Sequence, residues 1–183
     1  TVYSCGPTVY QNAHIGNLRS FVVADLLRRA LAHEGYQIRH VMNITDVGHL
    51  TGDADTGEDK IEAAARTEAK SVEQIVSFYI DAFYNDLDRL NIDSAAITFA
   101  RATRHITEQI ELVRKLEHAG VTYTIADGVY LDTAALDEYP KLGSVDPDHL
   151  KAGARIEPNP EKRNPGDFAL WKFSPADEER LQE

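Results

Sequence analysis

One cysteine in 183 residues rules out a disulfide within the chain. Cys5 is therefore a free thiol, a metal ligand or a packed residue, and such sparing use fits a reducing, cytoplasmic setting. No apolar run approaches the roughly 18 to 20 residues that crossing a bilayer takes, and nothing reads as a secretory leader, so no membrane partner is expected. Positive charge is also scarce: 19 Lys and Arg stand against 30 Asp and Glu, a net charge of −11. That balance argues against tight, unspecific binding of nucleic acid by this stretch. Arg28-Arg29 and Lys162-Arg163 are the local exceptions, read as solvated charge with phosphate contact as the alternative.

What is present is an ordinary globular composition, 43% hydrophobic and 27% charged, long enough to bury a core in one or two domains. The chain opens at Thr1 in a strand-like run without an initiator methionine and stops in the polar "SPADEERLQE". Both ends lead to the expectation of a piece of a longer protein.

"TVYSCG" reads as a short strand ended by Gly6-Pro7. From Ile15 to Ala32 apolar residues recur at helical spacing (Leu18, Phe21, Val22, Leu26, Leu27, Ala30, Leu31), and Gly35 stops the helix as a left-handed cap. "IRHVMNITDV" follows as a buried strand through Ile38, Val41 and Ile44, giving a strand–helix–strand unit with parallel strands. After a loop over 48–57, a helix is expected near 59–69. A second helix opens on the Ser71/Gln74 capping pair and runs to about Leu90, with Val72, Ile75, Val76, Tyr79, Ile80, Phe83 and Leu87 on one face. A further helix spans about 104–118. Beyond Gly120 the texture changes to a hairpin around Asp127-Gly128, a proline-rich stretch over 134–166, and a returning strand in "DFALWKF".

The chemistry concentrates in "SCGPTVYQNAHIGNLRSFVVADLLRRAL", residues 4–31. Ligands of open parallel sheets sit beyond the strands' carboxyl ends, where helix N-termini attract phosphate. His14 and Asn17 stand three apart and share a face if the helix starts near them, with Gly16 letting a nucleotide approach the backbone. Donors there would stabilise the charge that grows on phosphate oxygens under nucleophilic attack. The competing reading is helix capping and nothing more.

"CGPTVYQNAHIGNLRSFVVADLLRR" resembles the class I aminoacyl-tRNA synthetase signature, usually spelled His-Ile-Gly-His, and most closely the cysteinyl-tRNA synthetase family. "HVMNITDV", "RATRHI", "LKAGARIE" and "EKRNPGDFALWK" are similar to that family's motifs in the same order, through about Lys172. The resemblance implies an α/β fold: an incomplete Rossmann-like parallel sheet over residues 1–100, a small α+β connective insertion over 101–166, and a return to the catalytic domain over 167–183. It implies activation of L-cysteine by ATP with magnesium, then transfer to tRNA(Cys). His14, Gly16 and Asn17 would bind ATP, with His14 and Asn17 catalytic. Gly6, Thr8 and Thr45 would line the cysteine pocket, while Asp46 is read as structural.

Cys5 would be one of four ligands to a zinc that holds the substrate thiolate, rejecting serine without editing. The other ligands, a lysine-rich second signature and an anticodon-binding domain would lie beyond residue 183. The piece alone is therefore expected to bind zinc weakly or not at all and to be inactive. Asn17 departs from the family's second histidine, and an amide donates hydrogen bonds but carries no positive charge. "GHLTGDADTGEDK" departs from an Asp-Asp-Lys run; its His49, Asp53, Asp55 and Glu58 read as solvated rather than as a metal site. Two alternatives remain open, a ligase joining cysteine to an amino sugar as in mycothiol biosynthesis and a nucleotide-binding module without catalysis.

Overall fold

The structure, a computed structural model, describes residues 1–48, 60–136, 139 and 159–174, less the side chains at 60 and 62. The acidic loop carrying His49, Asp53, Asp55 and Glu58, the "LKAGARIE" motif and residues 175–183 lie outside the described residues. Two compact units divide the chain, Thr1–His49 with Glu58–His105, and Leu50–Gly57 with Ile106–Glu183.

The first unit holds a parallel sheet in the order β1 (Val2–Ser4), β2 (His40–Ile44), β3 (Ile97–Arg101). Val2 pairs with His40 and Met42 with Phe99, so β1 and β2, joined through helix α1 (Ile15–His33), are parallel as expected. The phase of β2 differs from expectation: His40, Met42 and Ile44 are buried, and Val41 is only half-buried. β3 is an element the sequence reading missed, although "ITF" alternates β-prone residues around a threonine.

One face of this sheet is packed by helices. Phe21 of α1 and Phe83 and Leu87 of α3 (Val72–Arg89) cluster with Met42 and Ile97. Ile75, Val76 and Ile80 of α3 join Val9, Ile44 and Ile61 of α2 (Lys60–Glu68). The Phe21 and Phe83 rings meet edge-on, 5.4 Å between centroids. Residues alternate along a strand, so Tyr3, Val41, Asn43, Thr45 and Thr98 point to the opposite face. Among the described residues, the two buried apolar clusters gather on the helix-covered face.

Local signals placed the helices well. Ser71 caps α3, taking the Gln74 amide at 3.2 Å while Gln74 Oε1 takes the Ser71 amide at 3.0 Å. Gly35 adopts φ +88° just past α1, a conformation that costs glycine little. The apolar stripe of α1 is only partly used: Phe21 is buried, while Leu26 and Leu27 are exposed. In their place the helix buries Asp25, which accepts from Arg28 Nη2 at 2.7 Å and Arg29 Nε at 2.6 Å. Burial would raise the Asp25 carboxyl, but the hydrogen bonds and charge of Arg28 and Arg29 outweigh it and hold it below its usual value. Arg28 is thus drawn out of solvent onto Asp25, while Arg29, whose side chain is 44% exposed, stays in contact with water as it bonds Asp25 and the Asn91 carbonyl.

The second unit has helix α4 (Ile106–His118) and an antiparallel sheet of β4 (Thr122–Ile125), β5 (Gly128–Leu131) and β6 (Phe168–Lys172). The hairpin stands where expected, yet Gly128 is not its turn residue: it pairs with Ile125 across Ala126-Asp127. A side chain at Gly128 would overlap the Trp171 carbonyl, so this glycine admits β6 against β5. β6 opens the stretch 167–183 that the resemblance reads as the start of a return to the first domain. Phe168–Lys172 pairs with β5, which keeps it in the second unit.

Asp167, 2% exposed, gathers this unit. It accepts from Tyr123 Oη (2.7 Å), Thr133 Oγ1 (2.7 Å) and the amides of Thr133 and Asn164 (both 2.9 Å). Burial favours the neutral acid, but these donors win and lower the carboxyl from its ordinary 3.8, while burial and the carboxylate push Tyr123 up to about 12. A carboxyl depressed on folding contributes stability that is complete above its unfolded value and lost as the pH falls through the folded one. The unfolding midpoint should therefore fall below about pH 4, with a shallower fall in Asp167→Asn. Equal acid slopes in the two proteins would show that Asp167 does not carry the effect.

Candidate nucleotide site at the first strand–helix turn

β1 ends at Ser4, and residues 5–14 turn over the sheet before α1 begins. The turn is laced to the end of β2. Thr45 N donates to Pro7 O at 2.9 Å, Val9 N donates to Thr45 O at 3.1 Å, and Thr8 and Thr45 form an isolated parallel bridge. Gly6 N donates to Asn43 Oδ1 at 3.0 Å. A Cβ on Gly6 would overlap the Asn43 carbonyl oxygen, so the missing side chain serves the fit of turn to strand rather than backbone access for a substrate.

α1 starts on an unusual cap. The His14 ring folds back so that Nδ1 accepts from Gly16 N (3.1 Å) and Asn17 N (3.4 Å), and Asn17 Oδ1 accepts from His14 N (3.2 Å). Sequence reasoning set capping against chemistry as alternatives, yet the geometry leaves room for both. Nδ1 accepts and so bears no proton, which puts the proton of the neutral ring on Nε2 as an outward donor. Asn17 spends its carbonyl oxygen on the cap, which leaves its amide hydrogens to donate. The expected free backbone amides are not all available, since those of Gly16 and Asn17 already face the His14 ring. Gly16 has its own reason to be glycine: a Cβ there would sit 2.9 Å from His14 Cε1 and displace the ring. The first turn carries no acidic residue, which suits an anion at the positive end of the helix dipole.

A cleft of about 190 Å³ opens over this turn, lined by residues 6–14, Asn17, and Tyr79 and Phe83 of α3. It brings together Gly6, Thr8, His14 and Asn17 but not Cys5, Gly16 or Thr45. Cys5 is exposed, one residue past β1. Continuing the strand alternation places it with Tyr3, Asn43 and Thr45 on the opposite side of the sheet. Among the described residues no three His, Cys, Asp or Glu side chains gather into a metal site. One thiol does not make the four-donor set that zinc takes, so the described residues do not fit that ion.

Asp46 closes β2 from below. It is 1% exposed and accepts from Arg101 Nε (2.7 Å), Thr103 N (2.9 Å) and Thr103 Oγ1 (2.6 Å), a structural role as expected. Asn43 is the residue that motif reading passed over. Its polarity beside the "NIT" threonine was the available signal, and its partners, 37 and 40 residues away, were not.

Comparison with known proteins extends this picture. Residues 1–182 match a family model described as the catalytic domain of class I (C) tRNA synthetases. A cysteine–tRNA ligase 1 of Burkholderia lata is 51% identical over 182 residues, all of this chain and 38% of the relative. A cysteine–tRNA ligase of Treponema denticola is 51% identical over 170 residues, 93% of this chain and 34% of the relative. The chain thus spans little more than a third of these curated relatives. Among solved structures, the ternary complex of Agrobacterium radiobacter K84 agnB2 LeuRS-tRNA-LeuAMS aligns with TM-score 0.52 at 22% identity, over 70% of this chain and 15% of that one. That likeness speaks to the fold alone.

Proposed function

The chain belongs to the cysteinyl family of class I tRNA synthetase catalytic domains, and from that premise we propose that the protein bearing it is a cysteine–tRNA ligase. It takes L-cysteine and ATP with magnesium to cysteinyl-adenylate and pyrophosphate, then passes the cysteinyl group to the terminal ribose of tRNA(Cys). We assign the chain the first part of the nucleotide-binding domain, with the second unit as the connective insertion. Among the described residues no helix is long and apolar enough to cross a membrane; we assign the protein to the cytoplasm.

The observation that carries this reading is the cap of α1, which frees the Nε2 proton of His14 and the side-chain amide of Asn17 beside the cleft. Adenylation builds negative charge on the α-phosphate as the cysteine carboxylate attacks and pyrophosphate departs. Fixed donors at a helix N-terminus lower that barrier without reorganising. Thr8 lines the same cleft, and with Gly6 and Thr45 it forms the cysteine side of the site.

Full-length protein is expected to catalyse cysteine-dependent exchange of pyrophosphate into ATP and to charge tRNA(Cys), while residues 1–183 alone do neither. Exchange that ignores cysteine, or product formed with an amino sugar in place of tRNA, would overturn the assignment.

A further inference from the structure

Asn43 sits at the centre of a hydrogen-bond set on the open face of the parallel sheet. Gly6 N and Tyr3 Oη reach its Oδ1 at 3.0 and 3.1 Å, and its Nδ2 lies 3.0 Å from Thr45 Oγ1. The backbone amide of Gly6 can only donate, so the Asn43 atom facing it is the oxygen. The other atom is then the NH2, which can only donate, so Thr45 Oγ1 accepts from it. A hydroxyl that accepts at one lone pair turns its own proton elsewhere, and no other partner of Thr45 Oγ1 is found among the described residues. We propose that Asn43 is a positioning residue that sets the Thr45 hydroxyl as a donor, directed at an oxygen of the amino-acid substrate, and ties that donor to the turn carrying Gly6.

The inference rests on the function proposed above and adds to it the polarity of the Thr45 contact. A ligand atom meeting Thr45 must be an acceptor, a carboxylate or carbonyl oxygen, and not the ammonium group. Asn43→Asp tests this. The carboxylate still accepts from Gly6 N and Tyr3 Oη, so the turn keeps its anchor. It now draws the Thr45 proton to itself and repels a substrate carboxylate.

The measurement is ATP–pyrophosphate exchange by the full-length protein, with KM taken separately for cysteine and ATP. Asn43→Asp should raise the KM for cysteine about tenfold and leave that for ATP within about twofold. Thr45→Val should do the same, and Thr45→Ser, which keeps a hydroxyl, should restore most of the loss. The double variant Asn43→Ser/Thr45→Val should be no worse than Thr45→Val alone, because serine brings no charge of its own toward the substrate and the change at Thr45 removes what Asn43 acts through. Additive losses in the double variant, or equal rises in both KM values, would leave Asn43 a merely structural residue and overturn the inference while the function stands. A wild-type protein without cysteine-dependent exchange overturns both. If Asn43→Asp lowers the unfolding midpoint, Asn43→Ser, which also loses the amide donor, is read in its place against the same double variant.

Discussion

Replacing His14 by alanine should lower the exchange rate of the full-length protein about 10²- to 10³-fold, the usual loss when one fixed donor to a developing oxyanion is removed. Alanine takes away two things together, the Nε2 proton beside the cleft and the cap that Nδ1 provides to Gly16 and Asn17. His14→Asn separates them. Asparagine is among the best N-caps, so this variant should recover most of the roughly 1 kcal/mol that alanine loses in stability. Its side chain is too short to cap and to reach as Nε2 does, so the exchange rate should stay near that of the alanine variant. The pair is read by exchange kinetics and thermal unfolding on the same preparations. Recovery of rate along with stability would mean that His14 only caps the helix. Asn17, whose carbonyl oxygen already accepts from His14 N in this cap, cannot take over that work.

Asp46→Ala should destabilise the first unit by about 3 kcal/mol, at the low end of the cost of stripping one partner from a buried ion pair. The Asp46 side chain is wholly buried, whereas Arg101 is 32% exposed and retains some access to water. Thr103 loses an acceptor for its amide and another for its hydroxyl. The single tryptophan, Trp171, lies in the second unit, so its fluorescence is the wrong probe. Amide hydrogen exchange at Met42 and Ile44 reports the first unit directly. Loss of protection there, with β5 amides unchanged, is the expected result; unchanged protection at β2 would remove Asp46 from its structural role. Because Asp46 directly follows Thr45, the same variant should also raise the KM for cysteine if Thr45 holds the place proposed for it.

The places where reading failed share a cause. Ser71 with Gln74, Gly35 after α1, and the stripe of α3 are relations between residues a few positions apart, and each stood where the letters put it. The double ion pair on Asp25 obeys the same short spacing and was open to reading as an (i, i+3) and (i, i+4) set. Arg28-Arg29 taken as a pair, without the acid before it, hides that set. β3, the phase of β2 and the pairing of β6 follow from which strand lies beside which, and no stretch of neighbouring letters contains that. Gly128 and Gly6 are instances: both are glycine because of a backbone that arrives from 37 or more residues away.

From letters alone came the strand–helix–strand order, the helices with their caps, the family resemblance and the cluster of candidate groups at 5–17. Local hydrogen bonds and apolar spacing act between near neighbours, so the order of residues encodes them directly. Folding in space settled which lone pair of His14 is spent, which atom of Asn43 meets Thr45, and which side of the sheet Cys5 shares. Those are matters of direction. A hydrogen bond has a donor end and an acceptor end, and only the partner brought up by the fold says which one is left for a ligand.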